Sequence, residues 1–134
     1  MTNVTNRIRQ IVYQRDGFRC VACGTTNEIT FQHRAATGMG GRGKKAPPLN
    51  ASDGLTLCLH DNQDAEAGGQ YRALAMGWKI RRNRGLITSH EIPYFDYTER
   101  AYFLPTVDGM RSKITHTLAV ELLDAAGNLN RKVA

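Results

Sequence analysis

The residues of this 134-residue chain best suited to chemistry are its three cysteines. Cys20-Val21-Ala22-Cys23 runs into Gly24, the shape in which a tight turn aims two thiolates at one ion. Cys58 supplies a third thiolate, with His60 and Asp61 close behind it. An odd count without an export signal argues against a disulfide framework. No strand-then-helix pattern surrounds the C-x-x-C as it would in a thioredoxin-like redox pair, so metal coordination is the reading adopted. Structural zinc takes four ligands. Imidazole binds zinc better than a lone carboxylate, which favours His60 as the fourth. The cramped spacing of Cys58-Leu59-His60 favours Asp61 instead. The expected set is Cys20, Cys23, Cys58 and His60, with Asp61 as the alternative fourth ligand.

A second group lies between the knuckle and Cys58. Phe31-Gln32-His33-Arg34 closes a predicted strand, and Asp53-Gly54-Leu55-Thr56-Leu57-Cys58 leads into a predicted helix. A histidine at a strand end can deprotonate a water. A divalent ion between strand and helix can polarise a phosphate and neutralise a leaving oxygen. That arrangement suits phosphodiester hydrolysis. The intervening loop, with Arg42, Lys44 and Lys45 among glycines, suits a nucleic-acid backbone, as does Arg34. Charge points the same way. Residues 1–50 hold eight basic and two acidic side chains and so account for the whole net charge of +6. Such asymmetry is expected of a partner for a polyanion.

These groups need elements to position them. Residues 3–15 are expected as a helix, with Ile8, Ile11 and Val12 on one face and Asp16-Gly17 as its stop. Residues 18–32 read as a hairpin turning through Gly24, and 35–54 as a long loop. Leu55–Cys58 is a short apolar segment. Residues 60–76 have helical composition interrupted at Gly68-Gly69. Short strands are expected at 78–80 and 85–87, aromatic packing on the core at 94–104, a strand at 114–123 and a turn at Gly127-Asn128. The class is α+β.

Taken in order, Arg15-Asp16-Gly17-Phe18-Arg19-Cys20-Val21-Ala22-Cys23-Gly24, His33-Arg34, Gly38-Met39-Gly40-Gly41, Leu55-Thr56-Leu57-Cys58 and Gly77-Trp78 resemble the HNH endonucleases, in the zinc-knuckle branch common among tailed phages. The resemblance spans about residues 15–82, roughly half the chain. It implies a ββα-metal, treble-clef-like core around a structural zinc, in residues 1–85, and a β-rich extension in 86–134 packed on that core. It implies metal-dependent cleavage of DNA, with His33 as general base and Mg2+, Mn2+ or Ni2+ as the catalytic ion near Gln32 and Asp61. It places Asp53 where the family has the asparagine that holds its loop. The chain departs from the family in having neutral Gln32 before the base and no fourth cysteine. These departures keep a second expectation open: an HNH scaffold with weakened or lost catalysis that binds DNA or a host protein.

The hydrophobic fraction is 41% and the charged fraction 22%, which excludes a disordered tail. No apolar run approaches the ~20 residues of a membrane-spanning helix. The expected location is the cytoplasm, that of the host cell if the chain is phage-encoded.

Overall fold

A computed structural model describes residues 4–35, 48–81 and 85–129. Arg42, Lys44, Lys45 and most of the glycine-rich loop lie outside the described residues. The first helix, α1 (Asn6–Arg15), begins where the Thr5 hydroxyl accepts the Ile8 N–H at 3.2 Å. It buries Val12 and Tyr13, and it ends where Gly17 and Phe18 both take positive φ.

That left-handed pair also prevents the first arm of the predicted hairpin. Residues 18–20 form no strand. Instead Cys20 N–H donates within the knuckle to Thr25 O at 2.8 Å. The strand that does form, β1 (Ile29–His33), pairs antiparallel with β2 (Gly54–Cys58), from Ile29 opposite Cys58 to His33 opposite Gly54. All of β2 is buried, as a short apolar run covered on both faces should be. Phe31 packs with Val12, Tyr13 and Ala51 on the α1 side, while Leu55 and Leu57 join Trp78, Ala73 and Tyr94. Leu55 and Leu57 are each fully buried, worth about 1.5–3 kcal/mol apiece.

β2 runs directly into α2 (Leu59–Ala65), and α3 (Gln70–Ala75) follows after a break at Gly68-Gly69. Residues 78–80 provide one parallel bridge, Ile80 to Ala35, rather than a strand. Residues 85–87 form none, since Gly85 turns the chain at positive φ and Leu86 stands in solvent. The later residues build a second antiparallel sheet of β3 (Tyr94–Asp96), β4 (Ala101–Pro105) and β5 (Arg111–Ile114), with β4 central. The strand expected at 114–123 is a correction. β5 stops at Ile114, Thr115 caps α4 (His116–Ala125), and Ala119 and Leu123 are buried at helical spacing. The chain is α+β, and no described helix is long and apolar enough to cross a membrane.

Two buried polar centres join the second sheet to the first hairpin. Asp16 is held by the Arg15 guanidinium at 3.0 Å and by the Tyr94 hydroxyl at 2.6 Å, and accepts the Thr56 N–H at 2.9 Å. Arg111 approaches the same carboxylate at 3.6 Å while bonding Asp96 at 2.7 Å. Burial, then the Asp16 charge, pushes the Tyr94 phenol above its ordinary range. The second centre is Arg34, fully buried, whose guanidinium donates to the carbonyls of Ser52, Gly77, Ser89, Ile92 and Pro93.

Candidate metal centre and the histidine end of the hairpin

The knuckle turn closes with Gly24 N–H on Cys20 O at 2.8 Å, and Gly24 takes a φ of +83°. Val21 N–H then donates to Thr56 O at 3.0 Å, which fixes the knuckle to the free edge of β2. Cys58, the last residue of β2, is also the N-cap of α2, its sulfur accepting the Asp61 N–H at 3.4 Å. Asp61 is the third helical residue, so its side chain lies back over the cap.

The result is one cluster of four donors. The ligand atoms of Cys20, Cys23, Cys58 and Asp61 all lie within 4.8 Å of one another. Asp61 Oδ2 is 3.2 Å from Cys20 Sγ and 3.3 Å from Cys58 Sγ, and Cys23 Sγ is 3.9 Å from Cys58 Sγ. Around a tetrahedral zinc with Zn–S near 2.3 Å and Zn–O near 2.1 Å, the S···S edge is about 3.8 Å and the S···O edge about 3.5 Å. The donor set and its edges therefore fit a metal ion, and thiolates select a soft or borderline one such as zinc.

The protonation pattern has the same origin. Burial pushes the Cys20 and Cys58 thiols up, and the Asp61 charge adds to the rise at Cys58. Burial opposes ionisation of Asp61 too, but hydrogen bonds from Cys20, Cys23 and Cys58 hold its carboxyl below the ordinary range. The carboxylate gathers the thiol protons that a cation would displace.

His60 is not part of this cluster. It is exposed on α2, one residue too early. At ~100° per residue, position i+3 returns to the side of the cap and position i+2 faces away. The fourth donor is Asp61, so Asp61 does not stand beside Gln32. Cys58 pairs with Ile29, three residues before Gln32, a separation of about 10 Å along the strand.

At the other end of β1, His33 is half-buried, its imidazole edge-on to Phe31 with ring centroids 5.1 Å apart. The Phe31 ring fills the place of a Gly54 Cβ. Gln32 points to the opposite face and is 2% exposed, and its Nε2 has no hydrogen-bond partner among the described residues. Asp53 has both carboxylate oxygens occupied: Oδ2 accepts the Asn50 N–H at 2.9 Å and Oδ1 the Ser89 hydroxyl at 2.7 Å. It holds the loop that enters β2. The Asn62 amide donates to Thr30 Oγ1 at 2.8 Å and ties α2 back to β1.

Arg34 is a further correction. A guanidinium with no solvent exposure, spent on five carbonyls, makes no contact with a phosphate. The Asp16–Tyr94–Arg111 centre was not legible beforehand. Asp16-Gly17 signalled a helix stop, and nothing local marked a partner 78 positions away. Among the described residues no second group of three or more His, Cys, Asp or Glu side chains gathers at the His33 end. Comparison with protein-family models, with curated proteins and with solved structures finds no match for this chain.

Proposed function

We propose that this chain is an HNH-type domain that hydrolyses DNA phosphodiester bonds, built as a ββα unit whose hairpin is pinned at one end by structural zinc. The observation that supports it is the placement of His33. It ends a strand whose far end is fixed by the cysteine cluster, and its ring is set by Phe31 over Gly54. β2 leads into α2 without a gap, which is the order of elements that a ββα-metal site needs.

In this reading zinc is held by Cys20, Cys23, Cys58 and Asp61 and substitutes for core that so short a hairpin lacks. His33 takes a proton from the attacking water. Arg42, Lys44 and Lys45 in the loop between β1 and β2 neutralise flanking phosphates. A divalent ion arriving with the substrate would supply Lewis-acid charge, and one or two protein ligands suffice when phosphate oxygens complete its shell. The side chains described at that end do not make a strong ion site, because Gln32 is neutral and Asp61 is committed elsewhere.

That same poverty of ligands favours a second reading, a zinc-held module that binds DNA or a host protein without cutting. Plasmid nicking with Mg2+, Mn2+ or Ni2+ separates them. Hydrolysis that falls roughly 100- to 10,000-fold in His33→Ala is expected of a general base. Absence of nicking with every ion, alongside salt-dependent DNA retention, would instead establish the binding module. Lack of both would leave the protein-partner reading.

A further inference from the structure

The three sulfurs differ in ways the metal reading does not use. Cys23 is exposed, whereas Cys20 and Cys58 are buried. Cys23 Sγ lies 3.9 Å from Cys58 Sγ. Cys20 is fully enclosed and its sulfur is turned to Asp61. Cys58 has a second duty as the cap of α2. One reachable sulfur therefore has a close partner whose loss would undo both the site and the helix start.

We propose that Cys23 and Cys58 form a reversible oxidation site, in which a peroxide joins them as a disulfide and releases the metal. The Cys23 sulfur attacks the O–O bond of hydrogen peroxide; an S–O bond forms, the O–O bond breaks and water leaves, giving a sulfenic acid. The Cys58 sulfur then attacks the Cys23 sulfur; the S–S bond forms and the hydroxyl leaves as a second water. Two metal-held thiolates are oxidised by two electrons, and one peroxide with two protons from solvent is reduced to two waters. Cys20 and Asp61 remain, two donors too few to retain the ion. The Asp61 N–H loses its thiolate acceptor at the same moment, so release of metal and fraying of α2 are one event. The inference rests on the zinc reading of the cluster and is independent of DNA hydrolysis.

The test uses the full chain as purified with zinc. Hydrogen peroxide is added, released zinc is read with a chromogenic chelator, and disulfides are located by peptide mapping. The expected result is one zinc released per Cys23–Cys58 linkage, a mass lower by two hydrogens, and recovery of both thiols and zinc binding after a reductant. In Cys23→Ser, peptide mapping after peroxide should find Cys58 without that disulfide, because its partner is gone. The mapping on the unaltered chain decides the matter even if that variant does not fold. Zinc retained while a free thiol in the same tube is consumed would overturn the proposal. So would a linkage mapped to Cys20–Cys23, or sulfinic acid without any disulfide. Zinc missing from the untreated chain would overturn the metal reading itself, and mapping would still decide the pairing.

Discussion

The ring of Phe31 lies where a Cβ on Gly54 would have to go, and the His33 imidazole rests edge-on against that ring. The cross-strand partner of His33 is thus glycine for a steric reason. Gly54→Ala should cost about 1–3 kcal/mol by overpacking. It should also lower any nicking activity beyond what the lost stability explains, since Phe31 must move and His33 with it. Urea melts and a plasmid assay, run below the melting range, check both parts.

Asp61, rather than His60, completes the cysteine cluster. Asp61→Ala should weaken zinc by more than the ~10–100-fold typical of an outer-shell change. It should lower the melting temperature only while zinc is present. His60→Ala, on an exposed residue, should leave zinc content and melting unchanged. Metal analysis with melts in and out of chelator distinguishes them; equal effects of the two substitutions would contradict the assignment.

Arg34 sits enclosed among five carbonyls. Lysine keeps the charge but lacks the planar fork. Arg34→Lys should cost at least about 3 kcal/mol, because several buried carbonyls lose their donors at roughly 1–3 kcal/mol each. A residue that merely touched phosphate would tolerate the exchange with little loss in urea stability.

The Tyr94 phenol is held in its protonated form by burial and by Asp16, so its folded pKa lies above the ordinary value of 10.0. The sign follows from linkage: the stabilisation is complete below about pH 10 and declines as pH rises above it, by up to ~1.4 kcal/mol per pH unit. Tyr94→Phe should lose about 1.5–3 kcal/mol near neutrality with the hydrogen bond to charged Asp16. Its alkaline slope should also be shallower than that of the unaltered chain by one proton. Urea melts of both proteins at about pH 8 and about pH 11 measure the two effects.

Much of the local architecture was legible in the amino-acid order. Asp16-Gly17 stops α1, Gly24 turns the knuckle, Leu55–Cys58 is apolar enough to be buried throughout, and Gly68-Gly69 divides two helices. Each of these depends on residues within a few positions of one another, where backbone sterics and capping act. The alternation of Ile114, His116, Leu118, Val120 and Leu122 misled because it lies across a boundary. Thr115 ends a strand and caps a helix, and only burial of Ala119 and Leu123 shows which period governs.

The chain order by itself determined that two thiols sit on a turn closed at Gly24, that the third ends a short apolar segment, and that a histidine ends a strand. The fourth donor follows from where α2 starts, since helical spacing from the cap at Cys58 returns Asp61 and not His60. Tertiary structure alone brings the knuckle thiols to that cap. It alone decided that Arg34 is internal, because the carbonyls that enclose it come from residues 52 to 93. Contacts over such separations are set by how whole elements pack, and no short window of residue types records that packing.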